Sequence, residues 1–338
     1  MSDLKTTYLG IPLKNPIIVG ASNLVTHTEA VKKMEAAGAA AIVYKSLFEE
    51  QIQLESLQLH EDMTEYNERN AEMVSLFPSI EHAGPKEHLE NLKKVRDAVN
   101  IPIIASLNCI YKESWEEYAQ LIEKTGVDAL ELNFYATPDK LDRTGISIEE
   151  KQLEALKTVV NAVKIPVSVK LSPFYSNVLN VVQQMDEAGA AGFVMFNRLF
   201  QPEIDLREEK HYTPLHLSND QEDYRLPLRY AGLLYGQVKG DICSNTGIFQ
   251  AEQVLKAILA GANSVQVVST IYKNGFTQIS NILSGLEKWM EEKHYASPDQ
   301  FRGKLSRQTL NDPITYRRAQ YVDVLMHADD IFKRYPLR

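Results

Sequence analysis

Asp128-Ala129-Leu130-Glu131-Leu132-Asn133 follows the pair Gly126-Val127 and reads as a short apolar strand ending in a polar side chain. The unit recurs. Gly38-Ala39 leads to Tyr44-Lys45, Gly189-Ala190 to Asn197, and Gly261-Ala262 to Ser269-Thr270. Repetition at a fixed spacing dictates architecture, so it is read first. Runs of a second kind alternate with these and enter through Asn15-Pro16, Ile101-Pro102 and Ile165-Pro166. With the apolar run 241–244, which has neither lead-in, they give eight strands: one after Pro16, then 40–45, 101–106, 129–133, 165–170, 192–197, 241–244 and 264–268. Helical spacing fills the intervals, over 28–37, 91–99, 114–124, 148–163, 178–188, 226–238, 251–259 and 279–292. Gly38 is read as the end of the first helix and Ser114 as the N-cap of the third.

Near-continuous apolar strands are what a parallel sheet covered by helices requires. Eight of them without a linker predict a closed (β/α)8 TIM barrel over residues 1–295. Residues 296–338 fall outside the repeat and read as a C-terminal helical extension. It carries Phe301-Arg302-Gly303-Lys304 and a helical run from Pro313 to Ile331, and is expected to pack on the barrel or a partner chain. Two long polar excursions, 46–87 and 198–225, interrupt the repeat where lids or binding loops occur.

A net charge of −9 argues against nucleic acid or an anionic membrane as partner. No apolar run reaches the roughly 18 residues of a membrane helix. The first residues lack the apolar core of a signal peptide, so a cytoplasmic location is expected. Cys109 and Cys243 read as buried reduced thiols, and the eight histidines lack metal-ligand spacing.

In such a barrel the chemistry lies at the carboxyl ends of the strands. Those ends offer Ala21 and Ser22, Lys45 and Ser46, Ser106 and Asn108, Asn133, Lys170 and Ser172, Asn197, Asn245 to Gly247, and Ser269 and Thr270. Carboxylates are nearly absent there, so the mouth should suit an anionic or strongly hydrogen-bonding ligand. Thr246-Gly247 and Ser269-Thr270 follow strands seven and eight, where phosphate is often held. The same residues also suit a tight turn and a helix cap. Lys45 and Lys170 admit three readings: rim side chains that snorkel, a Schiff-base lysine as in an aldolase, or fixed cations beside an electron-rich cofactor. An aldolase usually needs acid/base carboxylates nearby, and the strand ends lack them.

At these residues the chain resembles the dihydroorotate dehydrogenase family, and also the FMN domain of dihydropyrimidine dehydrogenase. The matching stretches include Asn15 to Ser22, Tyr44-Lys45-Ser46, Leu130 to Asn133, Val169 to Pro173, Phe196-Asn197, Thr246-Gly247-Ile248 and Val265 to Ser269. The resemblance implies FMN, with its phosphate at Thr246, Gly247, Ser269 and Thr270. Lys170 would stabilise the negative charge of reduced flavin. Ala21, Ser22, Lys45 and Ser46 would contact the ring, and Ser106 would replace a flavin-binding amide. Lys45, Asn133 and Asn197 would bind a planar pyrimidine-like substrate. The reaction implied is hydride transfer between flavin and a CH–CH bond. A homodimer and a separate electron-acceptor protein are further implications, since no iron–sulfur cysteine cluster is present.

The chain departs from the family on the substrate side. The family's Asn-Leu-Ser-Cys-Pro-Asn is here Asn133-Phe134-Tyr135-Ala136-Thr137-Pro138, so Ala136 stands at the position of the catalytic Cys and Pro138 at that of a substrate amide. A second motif survives only as Met73 to Ser79. Tyr135 is the candidate replacement acid. A phenol ordinarily stays protonated at neutral pH, which suits proton donation and hence reduction of a double bond. Thr137 is a poorer candidate without a neighbouring base. An FMN-binding homologue without dihydroorotate turnover, and a lysine-dependent aldolase, remain the alternatives.

Overall fold

The computed structural model describes residues 3–53, 84–136, 140–214, 216–326 and 333. Eight parallel strands close on themselves: Ile17–Val19, Ala41–Val43, Ile103–Asn108, Ala129–Asn133, Val167–Leu171, Gly192–Met195, Asp241–Asn245 and Ser264–Val267. Each pairs with the next in chain order, and Val265 pairs with Ile17 to close the ring. Helices follow the strands as the periodicity predicts, among them Thr28–Ala36, Gly145–Ala162, Val178–Glu187, Arg225–Leu234, Ala251–Ala260 and Gln278–Glu292. Side chains alternate across each strand. Leu130 and Leu132 join the large cluster beneath the helices, while Ala129 belongs to a smaller cluster with Ile18, Ala41, Val43, Ile104 and Val194.

That inner cluster also contains Tyr8, Leu9 and Leu13, from an element the sequence reading missed. Thr6–Tyr8 and Ile11–Leu13 form a hairpin. Leu9 and Gly10 both take positive φ at its turn, as a tight primed turn demands. The Leu9 N–H donates to Asp241 Oδ2 at 2.7 Å, which ties the turn to the start of the seventh strand. A Cβ on Gly192 would lie 2.5 Å from Leu9 Cδ2. The small residues inside the lower barrel therefore make room for a plug of Tyr8 and Leu9. The core closes at that end, and the cavity must open at the other.

Some boundaries move. The third helix is Lys112–Glu123 with Tyr111 as N-cap, so Ser114 lies within its first turn. Its hydroxyl donates to buried Glu49 Oε1 at 2.9 Å instead of capping backbone. Leu47–Phe48 adds a short strand beside Ile103–Asn108, and Glu203–Asp205 with Lys210–Tyr212 makes a hairpin within the second excursion. The expected helical run from Pro313 is broken into a 3-10 turn, Ile314–Tyr316, and a helix, Ala319–Met326. Ahead of it, Phe301 is buried against Trp289 and Tyr295. The Gly303 and Leu305 N–H groups donate to Ile258 O and Leu259 O. The Met73 to Ser79 motif, and Thr137 and Pro138, lie outside the described residues. Cys109 and Cys243 are free and buried. Among the described residues no helix is long and apolar enough to cross a membrane, and no cluster of His, Cys, Asp or Glu could hold a metal.

Candidate active site

A cavity of about 570 Å³ opens at the carboxyl ends of the strands. That is ample for a cofactor or drug-sized ligand. Ala21 and Ser22, Lys45 and Ser46, Asn133 and Tyr135, Lys170, Asn197, Thr246 and Gly247, and Ser269 all line it. Four strand-end candidates do not: Asn108, whose Nδ2 donates to Asn133 O at 2.8 Å, Ser172, whose hydroxyl accepts the Phe174 N–H at 3.2 Å, Ser106 and Thr270. Ser106 is buried at the level of Glu131, two residues before its strand ends at Asn108, and its hydroxyl lies 2.7 Å from that of Ser46. Thr270 is fully buried, and its hydroxyl donates to Phe249 O at 3.3 Å. Only its backbone remains to serve a ligand, because its side chain holds a neighbouring loop.

Register builds the floor. Asn133 pairs with Lys170, and Asn245 with Gln266. Lys170 Nζ lies 3.8 Å from Glu131 Oε1 and donates to Gln266 Oε1 at 3.4 Å. Gln266 Nε2 donates to Glu131 Oε2 at 2.6 Å, across the barrel interior. The strand ends carry few carboxylates, yet Glu131, two positions before Asn133, points inward on the same face. Glu131 is 1% exposed and its Oε1 has no hydrogen-bond partner. Gln266 is the site residue most plainly missed, although a carboxamide inside the apolar run Val265-Gln266-Val267 was a visible signal.

The amides of the wall are unequal. Asn133 Nδ2 donates to Ser46 Oγ at 3.4 Å, while its Oδ1 is buried without a partner. Asn197 Nδ2 donates to Phe134 O at 3.0 Å and to Lys170 O at 3.4 Å. Its N–H groups thus bind backbone carbonyls, and a hydrogen bond to a ligand falls to Oδ1. Lys45 forms no ion pair among the described residues. Beneath it Tyr44 meets His88 edge-on at 5.3 Å between centroids. Burial, reinforced by the Lys45 charge, pushes the His88 imidazole down to about 4, so it is neutral at pH 7. Burial raises the Tyr44 phenol to about 12.

The last two turns meet through Ser218, a residue of the second excursion that carried no period to betray it. The Gly247 N–H donates to Ser218 Oγ at 3.3 Å, and the Ser218 N–H donates to Ser269 Oγ at 3.0 Å. Lys273 Nζ donates to Ser218 O at 3.1 Å. Phe48, Phe200, His216 and Tyr272 complete the rim, with Arg198 paired to Asp223 at 3.2 Å.

Fold and cavity together define a (β/α)8 barrel whose open end is lined by lysines, amides and hydroxyl groups. Comparison with known proteins narrows this further. The family model described as Dihydroorotate dehydrogenase matches residues 3–290, and the chain belongs to that family of flavin-dependent oxidoreductases. It is 26% identical to the protein named dihydroorotate dehydrogenase B (NAD(+)), catalytic subunit, of Methanocaldococcus jannaschii, over 86% of this chain and 94% of that one. The protein of the same name from Thermoplasma volcanium is 27% identical over 90% and 98%. That from Desulforamulus reducens is 31% identical over 52% and 60%.

Proposed function

We propose that this chain binds FMN in the barrel mouth and reduces a carbon–carbon double bond in a pyrimidine-like substrate. The observation that carries the reading is that both lysines and both hydroxyl-bearing turns line one cavity. The residues fit the cofactor. Lys170 offers a cation, Asn133 Oδ1 is a buried acceptor awaiting a donor, and between the turns at Gly247 and Ser269 the hydroxyls of Ser218 and Ser269, which only accept in the bonds described above, can donate to a phosphate. Bound FMN supplies hydride chemistry; the protein supplies binding, orientation and charge. Lys170 would stabilise negative charge on the ring, while Ala21, Ser22, Lys45 and Ser46 orient it. Lys45, Asn133 and the Asn197 carbonyl would hold the substrate.

Tyr135, 38% exposed on the cavity wall, is the proposed proton donor. Tyr135→Phe is expected to slow substrate-dependent reoxidation of the reduced protein about a hundredfold, within the range for a positioned general acid. FMN affinity should not change. Anaerobic stopped-flow spectroscopy reads this, and an unaltered rate would assign the proton to another group.

A second reading rests on Ala136, a side chain that cannot move a proton. On that reading the chain binds FMN without turning over dihydroorotate, passing electrons for another subunit. The relatives' names call them catalytic subunits, which supports a separate electron-acceptor protein here; a homodimer is also proposed. Glu131 does supply a carboxylate beside Lys170, but the aldolase reading loses support because the family match is to flavin-dependent oxidoreductases. Purified protein is expected to be yellow and to release FMN on denaturation. Anaerobic titration against a panel of pyrimidines then tests the substrate. Protein that stays colourless after incubation with FMN would end the reading.

A further inference from the structure

Glu131 has no part in the reaction as described, yet its placement is costly. A carboxylate buried in a barrel interior is poorly solvated, and its attraction to one lysine rarely offsets that loss. An apolar residue of similar volume would serve the fold at least as well. The surroundings nevertheless accommodate it closely. Gln266 clamps one carboxylate oxygen at 2.6 Å, and the other faces Lys170 at 3.8 Å with no hydrogen bond of its own. A Cβ on Gly20 would lie 2.9 Å from Val268 Cγ2 and 3.2 Å from Gln266 Oε1, so a glycine there leaves room for the last strand, the carboxamide included. Strands one, four, five and eight thus converge on one arrangement directly beneath the cavity.

We propose that Glu131 is a positioning residue that sets the reduction potential of the bound flavin through Lys170, with Gln266 as its clamp. The inference rests on the flavin reading above. A cation beside the ring favours the reduced, anionic flavin and raises the potential. Glu131 partly cancels that cation and fixes where the ammonium stands, so it lowers the potential. Low local dielectric makes such a charge felt over several ångströms. The outcome is a flavin held more strongly reducing than Lys170 alone would leave it, which matches a site that donates hydride to a double bond.

The test is the midpoint potential of the FMN-loaded protein, by anaerobic equilibration with a redox dye. Wild type is loaded first; failure to take up FMN there overturns the flavin reading itself, before any potential is measured. Glu131→Gln keeps the shape and removes the charge. It is expected to bind FMN and to shift the equilibrium toward reduced flavin by at least tenfold, a rise of about 30 mV for a two-electron couple. Glu131→Asp keeps the charge but withdraws it from Lys170, and should give a smaller rise; it is the variant to read if E131Q does not fold. A merely structural role would lower the unfolding temperature and leave the potential in place. A folded, FMN-loaded E131Q whose equilibrium moves less than twofold, or toward the oxidised side, overturns the proposal, as does an E131D equilibrium unmoved when only that variant folds.

Discussion

Lys170→Met is expected to destabilise the folded chain by about 3–5 kcal/mol, the usual cost of removing one partner from a buried ion pair. The cation is 11% exposed and the carboxylate 1%, so neither end is rescued by water. After substitution Glu131 keeps the Gln266 amide but loses the charge facing its Oε1. Its options are to protonate or to draw water into the barrel, and both oppose folding. Natural domains hold only about 5–15 kcal/mol in reserve, so the loss should be plain in urea unfolding of the FMN-free protein. The double variant K170M/E131Q separates causes. With both charges gone the interior is neutral, and most of the lost stability should return. Flavin chemistry should not return with it, because the cation proposed to stand beside the ring is still missing. A double variant as unstable as K170M would mean that Lys170 acts by packing, and that the pair is not electrostatic in the way its geometry indicates.

The same pair marks where sequence reading reached its limit. Lys170 and Asn133 were legible because each closes an apolar run, and in a barrel every such end faces one mouth. Glu131 and Gln266 sit inside their runs. Period-two alternation assigns each to the interior, but no local pattern reveals that strands four and eight bring them within 2.6 Å. Seven of the eight strands were legible because Gly-Ala, Gly-Val or Pro lead-ins repeat with the fold's own period; the strand from Asp241 was legible only as an apolar run. The plug of Tyr8 and Leu9 was not, because three-residue strands carry too little alternation to register. Ser218 escaped for a different reason. It comes from a long irregular segment, and only the folded chain brings it between the turns at Gly247 and Ser269. Ser106 and Thr270 were misjudged in the opposite sense. A hydroxyl near a strand end looks available, yet two residues of depth direct that of Ser106 to Ser46, and the start of the helix Ser269–Asn274 directs that of Thr270 to Phe249 O.

Gly247→Ala addresses those turns directly. Gly247 has φ of +72°, a conformation that costs an L-residue roughly 1–2 kcal/mol. Its surroundings are as demanding as its backbone. A methyl group would collide with the Tyr224 backbone nitrogen and lie 2.9 Å from Asn219 O, neither of which is a flexible side-chain end able to step aside. Relief requires moving residues 219–224 away from the turn. That movement would carry off Ser218, whose hydroxyl accepts the Gly247 N–H and whose own N–H binds Ser269 Oγ. Both phosphate-binding turns proposed here would therefore loosen together. Losing one charge-assisted hydrogen bond is worth about 1.5–3 kcal/mol, so FMN affinity should fall about ten- to a hundredfold. Riboflavin, which lacks the phosphate, provides the control in equilibrium dialysis: its weaker binding should change little. If both flavins lose affinity equally, the turn shapes the whole cavity; if neither does, the phosphate is held elsewhere, and the anion site assigned to Gly247 and Ser269 is wrong.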